Sequence, residues 1–236
     1  MPERRAAVDF DPEHFGKRAA AGERLPPEAA FRHAYEANLW GGTDSPSGPG
    51  SSLDQTATLR AALPDLVARL GLRSLLDLPC GDGHWMARVE LPGIRYMGGD
   101  LLPEVVARAA ARRPDREFQT LDLLHGPLPA ADLLLCRDCL VHLSFDHLAQ
   151  ALDTIRRSGI PLLLATTFPA EPANLDIVTG DWRPLNLERA PFNFPPPVEL
   201  LREDCTEQGG LFRDKSLGLW RVEALPTPRS RADGPV

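Results

Sequence analysis

An alternation of apolar runs with helix-forming segments constrains the fold of this chain more than any other feature of its sequence. Apolar runs typical of buried parallel strands occupy residues 75–78, 94–97, 133–136 and 160–165. Segments at residues 103–113 and 144–157 predict helices between these runs. Strands and helices that alternate in this way specify an α/β fold with a parallel sheet.

Composition divides the chain into four segments. Residues 1–25 and 226–236 are rich in proline and charged residues without steady periodicity, which predicts two flexible ends. Residues 26–52 combine a helix with a run of turn formers, and we expect a helical lid and an entrance loop there. Residues 53–225 form the main domain, with a helix capped by Ser52 at its start and an antiparallel hairpin around Gly209-Gly210 at its end.

Charge and hydropathy narrow the range of partners. A net charge of -7 argues against a broad electrostatic contact with nucleic acid. No apolar run reaches the roughly 18 residues that cross a bilayer, and the first residues lack a signal-peptide core. Cys136 and Cys139 have a spacing found in zinc sites, but no second pair accompanies them, so no metal is expected. We expect a cytoplasmic protein that acts on a small molecule, without a nucleic-acid or membrane partner.

The segment from Leu75 to Trp85 carries the clearest chemical signal. Asp77 ends an apolar strand, where its carboxylate can pair with an amino group. Gly81 and Gly83 follow in a turn, and glycines let the backbone pass close to a ligand at the carboxyl end of a strand. Asp100 ends the next strand and can accept hydrogen bonds from both hydroxyls of a ribose.

These residues resemble the first two motifs of class I S-adenosylmethionine-dependent methyltransferases, Asp-x-Gly-x-Gly-x-Gly and an acid at the end of the following strand. Pro79 replaces the first glycine, which leaves Gly81 and Gly83 in register. The resemblance implies a Rossmann-like, seven-stranded, mostly parallel sheet of order 3-2-1-4-5-7-6, with strand 7 antiparallel and helices on both faces. It also implies that Asp122 meets the adenine amino group of the cofactor, S-adenosyl-L-methionine.

From this resemblance and from the turn chemistry we expect a set of cofactor-binding residues. Ser51 belongs to it because backbone amides and a serine at a helix start can hold a carboxylate, and Trp40 because it lies in the lid. The complete set is Trp40, Ser51, Asp77, Pro79, Gly81, Gly83, Asp100, Leu101, Asp122, Leu123 and Cys136.

Catalytic groups are expected just after the fourth strand, where the family places residues that face the methyl acceptor. His142 is the candidate general base, because the unperturbed pKa of histidine suits proton transfer near neutrality. Asp138 or Arg137 would orient the acceptor. The alternative for His142 is a structural histidine satisfied by a backbone carbonyl.

A polar and aromatic stretch after the fifth strand predicts the acceptor pocket. Such side chains can surround a polar acceptor such as a saccharide. The candidate residues are Thr167, Asp181, Trp182, Arg183 and Asn186. The alternative is a proline-rich surface loop.

These features predict methyl transfer from S-adenosyl-L-methionine to a hydroxyl oxygen of a small polar metabolite or natural product. N-methylation of a small amine is the close alternative. From another class come a nicotinamide-dependent oxidoreductase and a non-catalytic nucleotide-binding module. The dinucleotide fingerprint is incomplete, since Met86 stands where its third glycine belongs. Retention of Asp77, Asp100 and Asp122 together argues against a module without activity.

Overall fold

The computed structural model describes residues 9–227, which build one seven-stranded sheet of order β3-β2-β1-β4-β5-β7-β6. The strands are β1 (Ser74–Asp77), β2 (Arg95–Asp100), β3 (Glu117–Thr120), β4 (Leu133–Cys136), β5 (Leu162–Thr167), β6 (Glu199–Arg202) and β7 (Ser216–Arg221). The first five strands are parallel, and β7 runs antiparallel to both of its neighbours. This topology confirms the fold class implied by the resemblance, and the β6–β7 pairing confirms the predicted closing hairpin.

Helices flank the sheet and close the site. They are α1 (His14–Ala20), α2 (Pro27–Glu36), α3 (Ala57–Arg69), α4 (Pro103–Arg112), α5 (Phe145–Arg157) and α6 (Glu207–Gly210). The hydroxyl of Ser144 accepts a hydrogen bond from the His147 amide and caps α5 as a serine at this position should. Ser52 is not the cap of α3, because its hydroxyl accepts from the Gln55 amide in a turn that precedes the helix.

Two apolar layers hold the sheet. Because side chains alternate along a strand, Leu133 and Leu135 of β4 face the layer beneath α3, whereas Leu134 and Cys136 face the layer beneath α5. All four side chains are fully buried. Continuous apolar strands of this kind are typical of a parallel sheet covered on both faces, and they fix the carboxyl ends of β1, β2 and β4 at one edge.

The chain ends differ from the prediction in one respect. Residues 1–25 were expected to be flexible, but α1 is folded and Phe15 is only 3% exposed. Phe15 packs with Ala30 and Ala34 of α2, and burial of this ring explains why the segment is ordered. Residues 1–8 and 228–236 lie outside the described residues, so flexibility there stays a prediction. Within residues 9–227, no helix has the length and apolar character needed to span a membrane.

Candidate functional site

A cavity of about 150 Å³ opens at the carboxyl edge of β1, β2 and β4, beneath α2 and the loop of residues 41–52. Twelve of the predicted functional residues line it together. They are Trp40, Ser51, Asp77, Pro79, Gly81, Asp100, Leu101, Asp122, Leu123, Arg137, Asp138 and His142. The sheet therefore gathers the predicted cofactor acids and the candidate base around one space.

Asp77 forms the floor of the cavity at the end of β1. Its side chain is buried, and the Tyr96 hydroxyl donates a hydrogen bond of 2.7 Å to Oδ2. Burial raises the pKa of this carboxyl to about 7, because the charged form loses its water. A cationic partner in the cavity would restore the charge, so the site favours a ligand with a positively charged amino group.

Asp100 ties the glycine turn to β2. Its carboxylate accepts hydrogen bonds from the amides of Gly81 at 3.2 Å and Leu102 at 3.1 Å. Burial raises the pKa of Asp100 to about 6, although these amides favour the charged form. Each carboxylate oxygen retains a lone pair beyond the one that its amide uses, so a diol can be accepted here.

Asp122 lies after β3 at the far end of the cavity. Its carboxylate accepts from the Leu124 amide at 2.7 Å and contacts Nδ1 of His125 at 2.7 Å. Apolar side chains from the ends of β2 and β3 also line the cavity and offer a surface on which a flat base can pack. They are Leu101, Leu102, Leu121, Leu123 and Leu124.

The glycine turn is covered by the entrance loop. Gly81 has a φ of +56°, and a Cβ there would lie 2.4 Å from Oγ of Ser47, so only glycine fits. Asp82 fastens the loop, because its carboxylate accepts from the Ser45 hydroxyl at 2.7 Å and its amide donates to Oγ of Ser47 at 3.3 Å. Ser47 and Asp82 were not among the site residues predicted from the sequence.

Two predicted cofactor residues have packing roles and do not line the cavity. Gly83, with a φ of +69°, lets α4 approach, since a Cβ there would lie 3.3 Å from Cβ of Ala109. Cys136 is fully buried in the sheet beside Cys139, which does line the cavity.

The carboxylates and apolar side chains that line the cavity fit S-adenosylmethionine. Three carboxylates at successive strand ends match the cationic amino group, the ribose diol and the adenine amino group. The leucines near Asp122 match the flat base. At position 81 only glycine fits, which keeps the backbone of the turn open to a close ligand.

His142 ends a short 3-10 turn, Leu140–His142, that follows β4. Its Nδ1 lies 2.8 Å from the backbone oxygen of Asp181. A carbonyl can only accept, so Nδ1 carries the hydrogen and the neutral ring keeps its lone pair on Nε2. Burial lowers the pKa of His142 to about 4, below the unperturbed value of histidine that suits proton transfer near neutrality. The imidazole is neutral throughout the physiological range.

Arg137 and Asp138 belong to a buried charge network behind His142. Arg137 donates through Nε to Glu203 at 3.1 Å and through Nη2 to the carbonyl of Gly50 at 2.9 Å. Lys215 donates to Oδ2 of Asp138 at 2.6 Å. Burial opposes ionisation of Asp138, but Arg137 and Lys215 outweigh it and hold the pKa of this carboxyl well below its usual range. The network fixes this wall in an ionised form.

The residues that were predicted to bind the acceptor, all within the described chain, lie outside the cavity lining. Thr167 and Asn186 bind backbone groups of their own loop, and Trp182 packs on the rings of Phe168 and Phe212. Asp181 and Arg183 bind other parts of the protein, as described below. Their polarity serves internal hydrogen bonds that sequence cannot distinguish from ligand contacts.

Residues of α2 form a part of the lining that was not predicted from the sequence. Pro27, Phe31 and Tyr35 face the cavity, and the rings of Phe31 and Trp40 lie 6.4 and 5.4 Å from that of His142. Pro27, Phe31 and Tyr35 follow one another at intervals of four residues, which places them on one face of the helix. This spacing is the sequence signal that could have identified them. The wall around His142 is thus largely aromatic.

Comparisons with known proteins agree with this geometry. Residues 75–159 match the family described as "Methyltransferase domain". Isonocardicin synthase of Nocardia uniformis subsp. tsuyamanensis is 34% identical over an alignment that covers 46% of this chain and 39% of that protein. This chain therefore spans well under half the length of that relative.

Two solved structures share the fold at low identity. The 1,6-didemethyltoxoflavin-N1-methyltransferase of Burkholderia thailandensis has a TM-score of 0.55 and 22% identity, covering 94% of this chain and 96% of that one. PigF with SAH has a TM-score of 0.56 and 16% identity, covering 89% and 66%. The strand order, the glycine turn, the strand-end acids and the family match over residues 75–159 agree, and together they support a class I, Rossmann-like methyltransferase that uses S-adenosylmethionine.

Proposed function

We propose that this protein transfers a methyl group from S-adenosyl-L-methionine to a hydroxyl oxygen of a small molecule. One observation carries the proposal: a neutral histidine, with its lone pair fixed on Nε2, lines the same cavity as the three cofactor acids. The cofactor supplies a methyl group on a charged sulfonium, so positioning and removal of the hydroxyl proton are what the protein must add.

Each residue then has a defined task. Asp77, Asp100 and Asp122 hold the cofactor, and the loop fastened by Asp82 keeps water out. Nε2 of His142 accepts the proton that the hydroxyl loses as the bond to the methyl carbon forms.

The acceptor is proposed to be an aromatic hydroxyl compound and not a saccharide. The residues that suggested a saccharide lie outside the cavity, whereas the rings of Phe31 and Trp40 flank His142. Acidity supports the same choice, since a weakly basic imidazole removes a proton more readily from the more acidic of two hydroxyls. An aromatic hydroxyl has a pKa of about 10, far below that of a sugar hydroxyl.

The cofactor assignment is tested by calorimetric titration of S-adenosylhomocysteine into the wild type and Asp100→Ala. We expect micromolar binding that weakens about 10- to 100-fold in the variant, because a charged acceptor of two hydroxyls is lost. Asp115→Ala, which removes an exposed carboxylate paired with Arg113, is the matched control and should bind normally. Binding of a nicotinamide dinucleotide without S-adenosylhomocysteine would refute the assignment.

The reaction is tested by incubating the protein and cofactor with phenols, sugars and amines and identifying the nucleoside product. S-adenosylhomocysteine is expected with a phenol, and 5′-methylthioadenosine would show that another bond to sulfur breaks and that methyl transfer is wrong. His142→Gln should lower kcat about 10²- to 10⁴-fold, the usual contribution of a general base. A loss of only a few fold would favour an amine acceptor, whose nitrogen needs less help from a base.

A further inference from the structure

Residues 179–183, here named the bridging segment, connect two parts of the molecule that are far apart in sequence. On one side the segment contacts α1, and on the other it contacts the 3-10 turn that carries His142. The inference below rests on the proposed role of His142 as the base.

Arg183 fixes the 3-10 turn. Its guanidinium is buried and donates to the carbonyls of Val141 and Leu143, each at 2.9 Å. The Gly180 amide adds a hydrogen bond of 2.9 Å to the carbonyl of His142. The carbonyls of this turn are therefore bound by the bridging segment, and the backbone of His142 cannot shift independently of it.

Asp181 fixes α1. Its carboxylate accepts from the amides of Phe15 at 2.6 Å and Gly16 at 2.9 Å. Gly180 permits this approach, since a Cβ there would lie 2.6 Å from the ring of Phe15 and its φ is +106°. Contacts across 165 and 166 residues thus hold α1 against the bridging segment.

Asp181 serves both sides at once. Its side chain binds α1, while its own backbone oxygen accepts the hydrogen on Nδ1 of His142. We propose that α1, acting through Asp181, sets the tautomer and orientation of the His142 ring, so that Asp181 and Arg183 are positioning residues of the acceptor site. Asp181 and Arg183, which resemble acceptor ligands in the sequence, act on the base instead.

The test weakens the contact between Asp181 and the amides of Phe15 and Gly16, here named the joint, and leaves His142 itself unchanged. In Asp181→Asn the amide keeps one acceptor oxygen and turns an N–H toward a backbone amide, which disfavours docking of α1. Phe15→Ala weakens the same joint from the other side and provides a second variant if the first does not fold. Asp11→Asn removes an exposed carboxylate paired with Lys17 and is the matched control.

The primary readout is the imidazole ¹⁵N spectrum of the protein without ligand, assigned with His142→Gln. The wild type and the control should show protonated Nδ1 only, whereas both joint variants should show a mixture of tautomers. In turnover, kcat should fall about 10- to 100-fold, the usual result of misplacing a reacting group by about 1 Å, while the Kd of S-adenosylhomocysteine stays unchanged.

The two proposals fail separately. Unchanged tautomers in the joint variants would overturn this inference even if methyl transfer is established. A tautomer change in a protein that transfers no methyl group would uphold the inference about the joint and refute the proposed function.

Discussion

The two walls of the cavity, here named the cofactor wall (Asp77, Asp100 and Asp122) and the proposed acceptor wall (Arg137, Asp138 and His142), are stabilised over different distances along the chain. On the cofactor side, Asp100 and Asp122 each accept an amide hydrogen from a residue only two positions further on. On the acceptor side, Arg137 binds Glu203 across 66 residues and Lys215 binds Asp138 across 77. The cofactor wall is held by contacts within one strand–turn unit or between two adjacent units, whereas the acceptor wall depends on contacts between distant parts of the chain.

Charge state separates the walls as well. Burial raises the pKa of Asp77 to about 7 and that of Asp100 to about 6. Ionising these two carboxyls without a ligand therefore lowers the free energy of unfolding. In the acceptor wall, Arg137 and Lys215 keep Asp138 ionised. Substitutions in the first wall should therefore change binding, and substitutions in the second should change stability.

Lys215→Met should produce the largest effect. It leaves Asp138 and Glu203 buried with one cation fewer, and breaking a buried pair in this way costs about 3–5 kcal/mol of unfolding free energy. Urea denaturation measures the loss. Arg157→Met, which breaks an exposed pair with Asp153, should cost no more than about 1 kcal/mol. Equal losses in the two variants would remove the distinction between the walls.

Asp77→Asn should weaken cofactor binding without a comparable loss of stability. The amide oxygen can still accept from Tyr96, but the charge for the ligand's amino group is gone. In the wild type the pKa of about 7 means that Asp77 stabilises the fold fully below pH about 4 and that this contribution is lost as the pH rises through 7.

Cofactor binding should have the opposite dependence on pH. Since the ligand's amino group selects ionised Asp77, the affinity for S-adenosylhomocysteine should rise about tenfold between pH 6 and pH 8. Calorimetry at both values checks this, and Asp77→Asn should show little of the increase. If Asp77→Asn lost as much unfolding free energy as Lys215→Met, the claim that cofactor-wall substitutions change binding and not stability would be wrong.

Asp122→Ala should give the smallest effect. This carboxylate is partly exposed and meets one amino group, so its loss should weaken S-adenosylhomocysteine binding by only a few fold, or about 0.5–1.5 kcal/mol. Glu117→Gln, at an exposed position of the neighbouring strand, is the control and should bind like the wild type. A loss as large as that in Asp100→Ala would place Asp122 among the principal anchors.

The difference between local and long-range contacts also explains which parts of the site could be predicted from the sequence. The acids at the ends of β1 and β2 follow apolar runs, and a strand end beside a glycine turn is a local pattern. β3 was not predicted as a strand because it lies at the sheet edge and three of its four residues are exposed. Periodicity is absent where only one face of a short strand meets the core.

The acceptor wall could not be predicted in the same way. Asp181 and Arg183 have the composition of a ligand site, but their partners are backbone groups brought close by folding. α1 was missed because a single buried ring, Phe15, and the carboxylate of Asp181 hold it in place. The depressed pKa of His142 likewise results from burial beneath distant elements, which no local pattern encodes.

Lys215 immediately precedes β7, the strand that closes the sheet between β5 and β6. Asp138 receives its ammonium partner from a segment 77 residues further along the chain, next to the strand that joins β6 to the rest of the sheet. This side of the cavity is therefore complete only when β7 is paired with both β5 and β6.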